Sequence, residues 1–126
     1  MALQSGYLFY IVVIMEKQQN LGEFEQVVLL AILRLRDQGA YGVSIRAEIA
    51  DCTHRNPSAG AIYTTLDRLE GKQLLKSSVG EATPERGGRA KRYYQVTTRG
   101  LTALRRAHRD YQKLSQGLDI FGENYA

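Results

Sequence analysis

Past its first twenty residues the chain settles into a regular pattern of apolar and polar positions. From about Leu21 to Gln38, Phe24, Val28, Ala31 and Leu35 fall on one side at helical spacing. Leu29, Leu30 and Leu33 extend the apolar character to other sides, so this helix is expected between two surfaces. Gly39 stops it. A short second helix is predicted over about Val43 to Cys52, anchored by Ile45 and Ile49 one turn apart. Asn56-Pro57 interrupts the pattern as a turn, and Ser58 is a good N-cap for a third helix over about Ala59 to Lys72. In that helix Ile62, Leu66 and Leu69 share the inner face, while Gly60, Thr64, Asp67 and Arg68 fall outside.

The period then changes. "LLKSSVGE" and "RYYQV" read as paired strands, joined by a long tip that bends at Gly87-Gly88. Thr97 or Thr98 caps a last helix to about Gly117. Along it Leu104, Ala107, Tyr111, Leu114 and Leu118 recur at spacings of 3, 4, 3 and 4, a heptad-like seam. Arg105, Arg106, Arg109 and Lys113 lie on the other side. The order helix, helix, helix, strand, strand, helix predicts a mostly α fold with a small β-hairpin wing: a winged helix-turn-helix with a C-terminal dimerisation helix. A short strand near "GAYG" is expected to complete the sheet. The layout is an N-terminal extension over 1–20, a winged helix over 21–97, the dimerisation helix over 98–118 and a tail over 119–126.

The N-terminal run "YLFYIVVIM", Tyr7 to Met15, does not fit this pattern. It is far shorter than the roughly 20 residues a bilayer span needs. No Lys or Arg precedes it and "EKQQN" follows, so it is a poor signal peptide. Three readings stand: a β-prone arm, a lipid-facing or aggregation-prone tail, or an upstream extension before a natural start at Met15. The last is preferred, because the patterned sequence begins just after Met15.

Composition narrows the function. With 126 residues, 44% hydrophobic and 24% charged, the chain is one globular domain. Its one cysteine, Cys52, allows no internal disulfide and favours a reducing, cytoplasmic setting. The net charge of +4 is unevenly placed. Residues 1–50 hold four basic and five acidic side chains, and 51–85 again four and five. Residues 86–126 hold nine basic and three acidic, an excess of +6 that points to a polyanionic partner.

The third helix and the hairpin carry the candidate chemistry. A helix fits the major groove of B-DNA, provided the inserted end is slim. Ser58, Ala59, Gly60 and Ala61 make it slim, and the glycine there costs about 1 kcal/mol of helix propensity relative to alanine. Tyr63, Thr64, Thr65 and Arg68 supply hydrogen-bond donors and charge for phosphates or base edges. In "PERGGRAKRYY", Arg86, Arg89, Lys91 and Arg92 would neutralise phosphates, Gly87 and Gly88 let the loop follow a groove, and Tyr93 follows them. The last helix cannot bury its seam on so small a domain, so pairing of two copies is expected. Leu29, Leu30, Leu33, Leu104, Ala107, Tyr111, Leu114 and Leu118 are the candidate dimer contacts. Two recognition helices would then meet half-sites about one helical turn apart on a palindromic operator.

Other chemistries are poorly served. Cys52, His54 and His108 are the only soft or imidazole ligands and suggest no third, so no metal or cofactor is expected. No Ser/His/Asp order or carboxylate pair has local support. "ERGGR" leads into a strand rather than a helix, so it is no phosphate loop, and the chain does not read as an enzyme.

The segment Gly60 to Leu104, "GAIYTTLDRLEGKQLLKSSVGEATPERGGRAKRYYQVTTRGLTAL", resembles the winged-helix domain of PadR-type transcriptional regulators. "LGEFEQVVLLAIL" and "AYGVSIRAEI" resemble the first two helices of that family, and the likeness runs from about Leu21 to Leu118. It rests on the "IYTTLDRLE" helix, the basic wing and the "TTRG" helix start in the expected order. The resemblance implies a dimeric DNA-binding repressor of the short branch, with a single C-terminal helix. It implies DNA contact by Tyr63 and the wing basics, and pairing of the helix over Thr98 to Leu118 with its mate and with the first helix of the other chain. Double-stranded DNA and a second copy are the expected partners, with no membrane. A small-molecule effector at the dimer axis, as in some relatives, would use Phe24, Tyr111 or Tyr125 in place of an absent tryptophan. The competing reading is a winged helix that binds proteins without specific DNA binding.

Overall fold

Three short helices build the centre of the fold in the computed structural model, which describes residues 6–11, 20–82 and 90–125. Helix α1 spans Glu23–Arg34, α2 Gly42–Cys52 and α3 Ala59–Gly71. Strands β1, Leu75–Ala82, and β2, Ala90–Val96, follow, then α4, Thr98–Ser115, and a short 3-10 turn over Glu123–Tyr125. Residues 6–11 are helical, with Tyr7, Leu8, Phe9 and Tyr10 exposed, so that stretch is not a β arm. The rest of the apolar run lies outside the described residues.

Local chemistry sets the helix ends. The Gly22 N–H donates to Glu25 Oε1 at 2.8 Å, which satisfies one free donor at the start of α1. Ser58 Oγ accepts the Ala61 N–H at 3.1 Å and Thr97 Oγ1 accepts the Gly100 N–H at 3.0 Å, so both predicted caps form. Helix α1 stops four residues before the expected end: the Gln38 N–H bonds the Leu35 carbonyl in a turn, and Gly39 takes a φ of 87°. Helix α3 closes with Leu74 N–H on the Leu69 carbonyl and Gln73 N–H on the Glu70 carbonyl, with Gln73 in the left-handed region at φ 63°.

The core lies where α1, α2 and α3 meet. Val28, Leu29 and Ile32 of α1, Ile45 and Ile49 of α2, and Ile62, Leu66 and Leu69 of α3 are buried together. Leu74, Leu75 and Tyr94 bring the hairpin onto this core, and Ala103 and Leu104 add the first turns of α4. Each fully buried leucine or isoleucine contributes about 1.5–3 kcal/mol. A buried carboxylate is accommodated by pairing: Lys72 Nζ lies 2.8 Å from Glu25 Oε2, which joins the start of α1 to the end of α3.

The sheet has two antiparallel strands among the described residues. The expected third strand at "GAYG" is replaced by a single bond from the Tyr94 N–H to the Ala40 carbonyl, 2.8 Å. The positive φ of Gly39 and the start of α2 at Gly42 leave no run of extended residues to pair. The hairpin register runs from Leu75 opposite Val96 to Val79 opposite Arg92, then resumes at Ala82 opposite Ala90. One extra residue therefore stands in β1, a bulge at Gly80–Glu81 that bends the hairpin towards its tip.

Candidate nucleic-acid interface

The outward side of α3 is open. Ser58, Ala59, Gly60, Thr64 and Arg68 are all exposed. A Cβ placed on Gly60 would meet only Ser58 Oγ, at 4.0 Å, so nothing in the chain itself crowds that glycine. Tyr63 is 48% exposed, and the hydroxyl end of its ring lies so close to Gly42 that a methyl there would collide with it. Thr65 does not belong to this surface. It is buried, at 5% exposure, on the inner side beside Leu66 and Leu69. At the third position after Ile62 the helical repeat turns it inward, and its polar type misleads.

The turn ahead of α3 is held from two sides. Arg46 Nε donates to the Pro57 carbonyl at 2.7 Å, and Arg55 forms an ion pair with Glu23 at the start of α1. These ties fix where the exposed end of α3 begins, and neither was legible in the residue pattern.

The hairpin base stands beside α3. Arg92 is exposed and its Nη1 donates to Ser77 Oγ at 3.0 Å; Ser77 Oγ in turn donates to Glu70 Oε1 on α3, also at 3.0 Å. Lys91 Nζ sits 4.3 Å from the centroid of the Tyr41 ring, a cation–π contact. Tyr93 is half-buried, with Tyr41 edge-on at 5.8 Å between centroids. Arg86, Gly87, Gly88 and Arg89, the other wing residues of the sequence reading, lie outside the described residues.

The proposed dimer contacts divide into three groups. Leu29 and Leu104 are buried in the chain's own core, at 0% and 7% exposure, and are not available to a partner. Leu33 and Ala107 are half-buried. Leu30, Tyr111, Leu114 and Leu118 are exposed, and Leu114 reaches 78%. The seam thus begins inside the domain and emerges from it, because only the first turns of α4 rest on the core. Beyond it Ile120 and Phe121 are also exposed, the latter at 97%. A groove between the start of α1 and α4 is lined by Leu21, Gln26, Ala107, Tyr111 and Leu114.

Cys52 is exposed and bonds Glu48 Oε1 at 3.4 Å, next to Arg34 Nε at 2.7 Å from the same oxygen. The Arg34 hydrogen bond, then that of Cys52, holds the Glu48 carboxyl below its ordinary value. Among the described residues no group of three or more His, Cys, Asp or Glu is placed to hold a metal ion. Nor is any described helix long and apolar enough to cross a membrane.

Known proteins share this architecture. The model of the transcriptional regulator PadR-like family matches residues 29–106. A PadR family transcriptional regulator from Eggerthella lenta is 25% identical in sequence, with a TM-score of 0.59 over 93% of this chain and 92% of that one. A PadR-like transcription factor from Bacteroides fragilis gives a TM-score of 0.64 at 22% identity, covering 88% of this chain and 98% of that one. A winged-helix DNA-binding protein from STIV gives 0.57 at 16% identity over 78% and 98%. The last two are likenesses of fold, and the family match spans the second half of α1, α2, α3, the hairpin and the start of the last helix. The chain therefore belongs to the PadR-like family of transcriptional regulators and has a winged helix-turn-helix fold.

Proposed function

We propose that the chain is a cytoplasmic, homodimeric repressor that binds a palindromic operator in double-stranded DNA. The observation that carries this reading is the slim, uncrowded outer edge of α3 next to a hairpin whose sequence is basic. In this reading the N-terminal half of α3 enters the major groove. Ala59 and Gly60 let it approach, and Tyr63, Thr64 and Arg68 meet phosphates and base edges. Arg92, with Arg86 and Arg89, lies along the flanking phosphates and adds affinity with little sequence preference. The exposed seam of Tyr111, Leu114 and Leu118, with Leu30 on α1, pairs with a second copy. The twofold axis so produced spaces the two α3 helices for half-sites about one helical turn apart. Repression is steric: bound protein excludes polymerase.

The test is a fluorescence-anisotropy titration with the DNA upstream of the chain's own gene, across a salt series, with a scrambled fragment as control. Preference for the upstream fragment and a steep salt dependence are expected. No binding to either fragment at low salt would overturn the proposal and favour a protein-binding winged helix.

A further inference from the structure

The loop over residues 39–42 touches both halves of the proposed interface. On one side the Tyr63 ring of α3 ends against Gly42, where a side chain would displace it. On the other, the Tyr93 ring of β2 is held between two glycines. A Cβ on Gly39 would lie 3.0 Å from Tyr93 Cε1, and one on Gly80 would lie 2.6 Å from Cε2, at the opposite ring edge. Tyr41 meets Tyr93 edge to face, with 73° between the planes, and Lys91 caps the Tyr41 ring. Backbone bonds tie the loop at the same place. The Ala40 carbonyl accepts the Tyr94 N–H, and Ser44 Oγ accepts the Tyr41 N–H at 3.0 Å while bonding the Gly39 carbonyl at 2.9 Å. Gly80 is also where the extra residue of β1 bends the hairpin.

We infer that the "GAYG" loop and Tyr93 form the joint that sets the angle between α3 and the hairpin, so that Tyr93 is a positioning residue rather than a DNA contact. This rests on the DNA-binding reading above. A rigid ring seated between two glycines leaves the hairpin little play at its bulge. The Glu70–Ser77–Arg92 chain is a second strut, on the other face of the hairpin. The ring is what matters for positioning, whereas a DNA contact at this residue would be made by the hydroxyl.

Tyr93→Phe and Tyr93→Ala separate the two roles. The first readout needs no DNA: hydrogen exchange at the Tyr94 amide, which reports the joint, against the Leu66 amide, which reports the core. In Tyr93→Ala, protection at Tyr94 is expected to fall by about tenfold or more with Leu66 unchanged, and Tyr93→Phe is expected to match the parent chain. In anisotropy with the upstream fragment, Tyr93→Ala should weaken binding about tenfold while Tyr93→Phe keeps the parent affinity. Retained protection at Tyr94 in Tyr93→Ala would overturn the joint. So would equal loss of DNA affinity in both variants, because the hydroxyl would then be the contact. If the parent chain bound no DNA, the functional proposal would fail, and the exchange result would still decide the joint.

Discussion

Tyr94 and Thr65 show how burial governs single residues in this fold. Tyr94 sits at the meeting of hairpin and core with 6% exposure. Burial raises its phenol above the ordinary value of 10.0, and the nearby charge of Arg92 only partly opposes this. A group whose folded value is raised gives its full stability below the unfolded value and loses it as pH climbs through the folded one. The contribution of Tyr94 to the unfolding free energy is therefore expected to hold level up to about pH 10 and then fall. Tyr94→Phe should flatten that fall, as urea titrations at stepped pH would measure; an unchanged slope would show that other groups dominate. At this scale the sequence was legible where one side chain answers to its own backbone. Ser58 and Thr97 cap as their types and positions predict. It was misleading at Thr65, where helical phase outweighs polarity, and silent at Glu25, whose partner Lys72 comes from another helix.

Among the elements, α1 to α3 and the hairpin follow from periodicity, since each buries a face that its own spacing defines. The third strand does not, because a strand exists only through its partner and the "GAYG" stretch is consumed by a turn and a helix start. Helix α4 falls between these cases. Its periodicity is plain, but the sequence does not tell which turns serve the home domain and which serve a partner. Leu104 belongs to the first group; Tyr111 and Leu114 are left exposed, and Leu118, expected on the same helix, lies past its end at Ser115, after Gly117 at φ 81°. Leu114→Asp would place a charge on the exposed last turn of α4. The expected result is a monomer by sedimentation at micromolar protein, with the helical circular-dichroism signal of the winged helix kept. A dimer of unchanged strength would remove α4 as the pairing element.

For the whole molecule, the distribution of charge matters more than its sum. The excess of basic residues after position 86 is read directly from the sequence, and it spreads over two regions, the hairpin and α4. Arg105, Arg106 and Arg109 are exposed on α4, Arg105 and Arg109 beside Leu30 and Leu104, and Arg106 at the edge of the groove of Ala107, Tyr111 and Leu114. If the hairpin rather than α4 meets the flanking phosphates, Arg89→Ala with Arg92→Ala should lower the slope of log affinity against log salt by about 1.8 per protomer, at roughly 0.9 per contact. The matching pair Arg105→Ala with Arg109→Ala should leave it unchanged. Salt-series titrations on both variants decide this, and a loss of slope in the second pair would move the DNA footprint onto α4.

The ring-on-glycine contact between Tyr63 and Gly42 also bears on how such a chain can drift. Gly42 cannot gain a side chain while the Tyr63 ring keeps its place. A bulkier residue at 42 evicts the ring from its seat, whereas loss of the ring leaves 42 open to alanine or serine. The two sites should therefore vary together across related sequences, an aromatic ring at one being accompanied by glycine at the other. Lineages that gave up the tyrosine would be recognisable by the side chain that appears opposite it.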